Sequence, residues 1–209
     1  MRDVTWTHPG LFKILKLIPE ETVSLLDLGC GRGIIGALCR IYRDVKKLVG
    51  VDIFEPYLRF CKKYNLYDTV LKWDLRKLPL PFKNNEFEVV VAIEVVEHLE
   101  KNDALKLIKE MERIAEKRVI ISTPNIFFEQ DTYDGNPFQM HRCVLNYRQL
   151  RKLGYKVYVG GSLMFLNLQI PFIFTPVESR KFKSLSSLLN KLLVRYACTV
   201  LGVKDFKRS

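Results

Sequence analysis

The 209-residue sequence has no hydrophobic run long enough to cross a membrane. Its longest apolar stretch, residues 163–177, is interrupted by Asn167, Gln169, Pro171 and Pro176. The opening residues, Met1-Arg2-Asp3-Val4, are too polar for a signal peptide. Internal repeats, low-complexity tracts and Gly/Ser-rich linkers are also absent from the sequence. With a hydrophobic content of 48% and a charged content of 27%, these absences predict one cytoplasmic globular domain.

The sequence also lacks closely spaced pairs of cysteines. The five cysteines are odd in number and widely spaced, with no Cys-x-x-Cys pair among Cys30, Cys39, Cys61, Cys143 and Cys198. This pattern argues against a disulfide framework and against a zinc site. We expect reduced thiols in the core of a cytoplasmic protein.

Acidic residues are scarce in the last third of the chain. Residues 141–209 contain 13 Lys and Arg against only Glu178 and Asp205, whereas residues 1–140 contain 21 basic and 21 acidic residues. The whole net charge of +11 therefore lies in the C-terminal third. Such an excess predicts an anionic partner: a phosphorylated substrate, an RNA or an anionic membrane surface. A merely solvated basic surface is the alternative.

Short apolar runs alternate with amphipathic segments along most of the chain. This alternation is typical of βαβ units and predicts an α/β fold with a mostly parallel sheet. The predicted strands cover residues 23–28, 47–52, 68–72, 87–93, 117–122, 155–160 and 163–169. The predicted helices cover residues 9–18, 33–42, 55–64, 101–115 and 146–153.

The segment 25–33 combines a buried strand with a glycine-rich turn. Glycines at alternate positions let the backbone turn sharply and approach a ligand closely, and Asp27 places a carboxylate at the mouth of this turn. A second apolar strand ends in Asp52, about 20 residues further on, where such folds hydrogen-bond a ribose. The sequence therefore predicts a nucleotide-binding edge. Because the glycines of residues 31–36 also match the G-x-G-x-x-G fingerprint, a nicotinamide or flavin cofactor stays open at this point.

Several motifs together resemble those of class I S-adenosylmethionine-dependent methyltransferases. They are Leu26-Asp27-Leu28-Gly29-Cys30-Gly31-Arg32-Gly33, Asp52, Trp73-Asp74, Glu94-Val95-Val96-Glu97-His98-Leu99 and Ser122-Thr123-Pro124-Asn125. The resemblance implies a Rossmann-like, seven-stranded, mostly parallel sheet in the order 3-2-1-4-5-7-6, with an antiparallel last strand and helices on both faces. The neighbouring segments 155–160 and 163–169 would supply its last hairpin.

The resemblance also implies S-adenosylmethionine as the cofactor. The residues that would bind it are Asp27, Gly29, Cys30, Gly31, Gly33, Asp52, Ile53, Trp73, Asp74 and Glu94. Asp27 and the glycine loop would hold the methionine part, and Asp52 would accept hydrogen bonds from the ribose. Ile53 would pack against the adenine, and Asp74 would bind its amino group, with Trp73 nearby. As an alternative, Asp74 caps the short turn that follows it.

The end of the fourth strand carries Glu-x-x-Glu-His, beside the expected sulfonium. His98 would act as a general base, and His141 and Tyr133 would assist from a long loop over residues 125–141 that we expect to cover the acceptor pocket. These three residues are the predicted catalytic groups, in a site without metal. A metal site is the alternative, because small-RNA 3′-terminal 2′-O-methyltransferases bind a divalent metal through Glu-x-x-Glu-His and a later His. The residues that resemble this pattern are Glu94, Glu97, His98 and His141.

The C-terminal region predicts an amphipathic helix over residues 184–201, followed by a basic tail with Lys204, Lys207 and Arg208. We therefore divide the chain into a methyltransferase domain at residues 1–180 and a C-terminal helix and tail at residues 181–209, packed on the same domain. Dimerisation and contact with a membrane surface are alternatives for this helix.

Together, the motifs predict an S-adenosylmethionine-dependent methyltransferase that acts on a small-molecule hydroxyl or amine. Three alternatives stay open: a metal-dependent RNA 2′-O-methyltransferase, a nicotinamide-dependent oxidoreductase, and a non-catalytic module that binds nucleic acid or membranes. A small-molecule acceptor is the expected partner. An RNA or an anionic membrane surface would bind through the basic C-terminal third.

Overall fold

A seven-stranded sheet lies at the centre of the computed structural model, which describes residues 10–132, 134–160, 163–165, 168–170 and 193–206. Its strand order is β3-β2-β1-β4-β5-β9-β6, and all neighbours are parallel except those of β9. This arrangement confirms the predicted fold class and strand order. The strands are β1 Ser24–Leu28, β2 Lys47–Asp52, β3 Thr69–Lys72, β4 Phe87–Ile93, β5 Ala115–Pro124, β6 Lys156–Val159, β7 Leu163–Phe165, β8 Leu168–Ile170 and β9 Thr199–Asp205.

The described residues contain five α-helices, and each lies within two residues of its predicted bounds. They are α1 Leu11–Leu17, α2 Ile34–Tyr42, α3 Glu55–Lys63, α4 Lys101–Ile114 and α5 Tyr147–Lys152. The longest, α4, has 14 residues. None of the helices in the described part of the chain has the length and apolar character needed to cross a membrane.

Alternate residues of the central strands build two hydrophobic cores on opposite faces of the sheet. Leu26 and Val90 belong to the first core, which α4 and α5 cover, whereas Leu25 and Val89 belong to the second, which α1, α2 and α3 cover. Strands covered on both faces need continuous apolar sequences. This requirement explains why the central strands could be located from their apolar runs alone.

The antiparallel strand of the central sheet differs from the prediction. Residues 199–201, predicted as the end of a helix, begin β9 instead, and Lys204 of the predicted basic tail lies in the same strand. The strand inserts between β5 and β6 and pairs with both. Its β-branched residues Thr199, Val200 and Val203 favour an extended backbone, and ladder bonds on both sides outweigh the helical spacing of the leucines before them.

The predicted strand 163–169 is also wrong. This segment contains β7 and β8, which pair with each other in a separate two-stranded sheet, so the hairpin partner of β6 is β9. Residues 184–192 of the predicted helix lie outside the described residues, as do Lys207 and Arg208. The division of the chain at residue 180 stays a prediction.

Candidate active site

The glycine loop between β1 and α2 is held in shape by backbone hydrogen bonds. The N–H groups of Gly29 and Cys30 both donate to the carbonyl oxygen of Val51, at 2.7 and 2.9 Å. Gly29 adopts a φ of +72°, and a Cβ atom there would lie 2.4 Å from a methyl carbon of Val95. Glycine is therefore required at this position both by the backbone conformation and by the close approach of Val95.

Asp52 closes the loop from the end of β2. One carboxylate oxygen accepts the N–H of Gly31 at 2.8 Å, and the other accepts the N–H of Phe54 at 2.8 Å. Burial raises the pKa of Asp52, while these N–H donors oppose the shift. Each oxygen keeps a second lone pair, so the carboxylate can still accept two hydroxyl protons from a ribose.

Asp27 lies behind the loop rather than in the wall of a described cavity. The Tyr67 hydroxyl donates to its carboxylate at 2.6 Å and accepts the N–H of Gly36 at 3.1 Å. Complete burial raises the pKa of Asp27 to about 7. The described contacts make Asp27 a buried support for the loop and for the start of α2. Its predicted contact with the methionine part of the cofactor stays a prediction.

Two cavities, of about 270 and 560 Å³, meet at Gly29, Gly31, Glu94 and Gln139, which line both. The smaller cavity contains the predicted ribose and adenine residues, and the larger one adjoins the glycine loop and α3. Eight of the ten predicted cofactor residues line these cavities: Gly29, Cys30, Gly31, Gly33, Asp52, Ile53, Asp74 and Glu94. A ligand that spans the two cavities would pass directly over the glycine loop.

Asp74, predicted to bind the adenine amino group, and Trp73, predicted to lie nearby, behave differently. Asp74 lines the smaller cavity, but it also accepts the backbone N–H of Arg76 at 3.0 Å and pairs with the Arg76 guanidinium at 2.8 Å. The bond to Arg76 lowers the pKa of Asp74. The indole N–H of Trp73 donates to the carbonyl oxygen of Lys77 at 2.9 Å, and Trp73 is not among the described lining residues. Leu75 takes its place in the cavity wall.

A cluster of possible metal ligands lies at the end of β4. Residues 96–98 form one turn of 3-10 helix, which places Glu97 and His98 next to each other. The N–H groups of Arg142 and Cys143 donate to the carbonyl oxygen of Glu97 at 2.7 and 3.1 Å and so bring His141 to the same place. Ligand atoms of Glu97, His98 and His141 all lie within 4.8 Å of one another. We call these three residues the cation cluster.

Both imidazoles of the cation cluster have one nitrogen occupied by a backbone carbonyl. His98 Nδ1 lies 3.2 Å from the Met140 oxygen, and His141 Nδ1 lies 3.0 Å from the Phe128 oxygen. A carbonyl oxygen can only accept, so each Nδ1 must donate. In the neutral rings, Nε2 therefore keeps its lone pair, which is the arrangement that metal-binding histidines use. Burial lowers the pKa of His98 and favours this neutral form.

Glu97 is the third possible cation ligand, and its side chain is buried. Glu97 is 1% exposed, and among the described residues neither of its side-chain oxygens makes a hydrogen bond of standard geometry, although Thr123 and Glu94 lie close enough to shift its pKa. Burial raises the pKa of Glu97 far above its usual range, and the neighbouring Glu94 adds to the shift. Glu94 itself accepts a bond from the Ser122 hydroxyl. Carboxylate oxygens beside two imidazoles suit a divalent cation such as Mg²⁺ or Mn²⁺, so these three residues fit the metal site that the sequence offered as an alternative to a metal-free site. Glu94, the fourth residue of that alternative, is not among them.

The described part of the loop over residues 125–141 reaches the smaller cavity, and its expected position over the acceptor pocket stays a prediction. Residues 136–139 of the loop line the smaller cavity. Asp134 holds the loop in place by an ion pair with Arg32 at 2.6 Å, and it accepts a hydrogen bond from the Tyr57 hydroxyl at 3.3 Å. Tyr133, a predicted catalytic residue, lies outside the described residues. The sequence did not reveal Arg32, Tyr57 or Tyr67 as parts of the site, because single residues without a motif carry no signal of their partners.

Comparisons with known proteins agree with this geometry. A family model described as a methyltransferase domain matches residues 26–122. The chain is similar in fold to an S-adenosylmethionine-dependent methyltransferase of Archaeoglobus fulgidus, with 19% identity, a TM-score of 0.63 and coverage of 94% of this chain and 92% of that one. It is also similar in fold to the methyltransferase domain of bacterial CtHen1-CN, with 21% identity, a TM-score of 0.58 and coverage of 94% and 97%.

Two curated relatives share parts of the sequence. An uncharacterised protein of Methanocaldococcus jannaschii is 27% identical over 151 residues, which cover 70% of this chain and 61% of that protein. A small RNA 2′-O-methyltransferase of Rattus norvegicus is 31% identical over 122 residues, which cover 52% of this chain and 31% of that protein. The matched regions thus span less than two thirds of these relatives.

Proposed function

We propose that the chain is a class I S-adenosylmethionine-dependent methyltransferase and that it methylates the 2′-hydroxyl of the 3′-terminal nucleotide of an RNA. S-adenosylmethionine is the methyl donor in this proposal, and a divalent cation lies beside the acceptor. The match of residues 26–122 to a methyltransferase-domain model argues against the nicotinamide-dependent alternative.

The observation that carries the proposal is the buried Glu97 side chain within the cation cluster. Burial and Glu94 raise the pKa of Glu97, so without a cation the group retains a proton, and a divalent cation that replaces this proton stabilises the buried carboxylate. A divalent cation held by Glu97, His98 and His141 would supply Lewis-acid activation of a hydroxyl group by lowering its pKa. A hydroxyl acceptor needs this help more than an amine, because its proton is held far more tightly at neutral pH.

The cation cluster adjoins the cofactor cavity. His98 and Glu94 line the same cavity as Asp52, and Glu94 also borders the glycine loop. A cofactor that places its ribose at Asp52 and its methionine part over the loop would present its sulfonium near Glu94. An acceptor at the cation cluster would then face the methyl carbon, and holding the two reactants together would supply much of the rate enhancement.

The 3′ end of RNA fits a cation cluster because it carries two neighbouring hydroxyl groups on one ribose. A divalent cation prefers oxygen ligands and can bind both groups at once, which orients the 2′-oxygen. The rat relative named a small RNA 2′-O-methyltransferase supports this acceptor class. The basic C-terminal third supports an anionic acceptor. The small-molecule acceptor expected from the sequence stays a prediction.

Methyl transfer to single-stranded RNA tests the proposal. With labelled S-adenosylmethionine and Mn²⁺, an oligonucleotide that ends in a 2′,3′-diol should become labelled, whereas the same oligonucleotide with a 2′-deoxy end should not. The variant Glu97→Gln should lose about 100-fold or more in activity and should lose Mn²⁺ binding, measured by electron paramagnetic resonance. It should keep its affinity for S-adenosylhomocysteine, measured by calorimetry.

Glu100→Gln is the matched control, since Glu100 is also a glutamate after β4 but has a side chain 65% exposed. This variant should retain both activity and Mn²⁺ binding. Equal activity with and without a chelator would contradict the role of the cation. Absence of transfer to every RNA that ends in a diol would contradict the acceptor.

A further inference from the structure

Three consecutive apolar side chains are exposed directly after β5. Ile126, Phe127 and Phe128 have exposed fractions of 43%, 52% and 48%. About half of each side chain therefore remains in contact with water instead of packing in the core. A contiguous exposed apolar run at the functional edge of a sheet is typical of a binding surface.

Phe128 connects this exposed segment to the cation cluster. Its carbonyl oxygen accepts the Nδ1–H of His141, and the centroid of its ring lies 4.5 Å from that of the imidazole. The rings meet edge to face at 68°, so the 48% exposed phenyl group keeps free ring surface. The His141 ring lies 5.1 Å from that of His98. Aromatic surface therefore adjoins the place where the acceptor hydroxyl would lie.

We propose that Phe128, with Phe127 beside it, is the stacking surface for the 3′-terminal base of the acceptor strand. This inference rests on the proposed function. In a nucleotide, the base is attached to the ribose carbon next to the one that carries the 2′-hydroxyl. A ribose whose hydroxyls face the cation cluster must therefore place its base close to the cluster. Stacking on an aromatic ring accepts every base, since each has a π-face.

Charge near this surface suits the phosphate that precedes the last nucleotide. Arg142 follows His141 directly and lines the same cavity as His98. Its ion pair with Glu100, at 3.3 Å, is exposed and therefore worth little. Arg142 can consequently exchange this partner for a phosphate at small cost.

A comparison of two oligonucleotides and two proteins tests the stacking surface. One RNA ends in an adenosine, and the other ends in the same ribose without its base. The wild type should prefer the base-bearing RNA by roughly tenfold in kcat/KM, the usual size of a base–aromatic stack. Phe128→Ala should lose this preference through a higher KM for the base-bearing RNA, and it should match the wild type on the abasic RNA. Phe128→Trp should restore the preference.

Controls separate stacking from damage to the site. Phe128→Ala keeps the carbonyl that orients His141, so Mn²⁺ binding and S-adenosylhomocysteine affinity should not change. Phe12→Ala removes an aromatic side chain that is 68% exposed on α1 and should leave the preference intact. Equal preference for the base in wild type and Phe128→Ala would overturn the stacking surface alone. Failure of the wild type to methylate either RNA would overturn the proposed function, and this inference with it.

Discussion

The two sides of the reaction centre are built in different ways. On the cofactor side, the loop amides are bonded to Val51, and Asp52 is held by two N–H donors. On the acceptor side, neither side-chain oxygen of Glu97 makes a hydrogen bond of standard geometry with the described residues. A satisfied loop keeps its shape without ligand, whereas a buried carboxyl group without such bonds gains most from one. The cofactor side is therefore preorganised, and the acceptor side is completed by what it binds.

Substitution of Gly29 should damage the preorganised side most. A Cβ atom at Gly29 would lie 2.4 Å from Val95 and would also impose left-handed strain at φ +72°. We expect Gly29→Ala to cost about 2–5 kcal/mol in the free energy of unfolding. At Gly31, with φ +52°, a Cβ atom would have no described atom within 4 Å, so Gly31→Ala should cost only about 1–2 kcal/mol. Urea unfolding of the two variants measures the difference, and equal losses would contradict the steric argument.

The cofactor side was also the more predictable one. Its residues lie within short motifs, and the strands that carry them are apolar over their whole length, so the sequence located β1 and β2 to within one residue. The acceptor side needed distant contacts, because bonds such as those from Arg142 and Cys143 to the Glu97 carbonyl bring His141 to Glu97. For the same reason β9 was missed, since its place between β5 and β6 is fixed by pairing and not by local preference.

Asp27 should make the stability of the protein depend on pH. Burial raises its pKa to about 7, from the ordinary value of 3.8 that applies when the chain is unfolded. Between these values the folded protein retains a proton that the unfolded chain has released, so stability falls as pH rises. From about pH 5 to about pH 8 the loss should be roughly 3 kcal/mol.

The variant Asp27→Asn cannot titrate and can still accept the Tyr67 hydroxyl. It should therefore lack this part of the pH dependence and should be more stable than the wild type at about pH 8. Urea unfolding of both proteins across this pH range provides the test. Parallel stability curves for the two proteins would show that Asp27 does not carry the raised pKa.

Substitutions on the two sides should each weaken the binding of one ligand and leave the other unchanged. Asp52→Ala removes the carboxylate expected to accept two ribose hydroxyls, so affinity for S-adenosylhomocysteine should fall about 100-fold, as expected for two hydrogen bonds to a charged group. Mn²⁺ binding should be unchanged, which is the reverse of the pattern expected for Glu97→Gln. Calorimetry with each ligand on each variant measures this. If either variant lost both ligands while remaining folded, the two sides would not be separate.

The ion pair between Asp134 and Arg32 joins the loop over residues 125–141 to the glycine turn, and we expect its removal to have the smallest effect. Asp134→Asn removes the ion pair with Arg32, whose partners are 22% and 27% exposed, and a pair of this kind contributes about 0.2–1 kcal/mol. Because the pair joins the loop that lines the smaller cavity to the glycine turn that lines the larger one, its loss should speed dissociation of S-adenosylhomocysteine by about 1.5- to 5-fold without changing Mn²⁺ binding. Stopped-flow fluorescence measures the rate. High salt should speed release from the wild type but not from the variant, because it screens the same ion pair. An identical salt response in the two proteins would mean that the pair does not retain the cofactor, and that the preorganised side depends on the loop backbone alone.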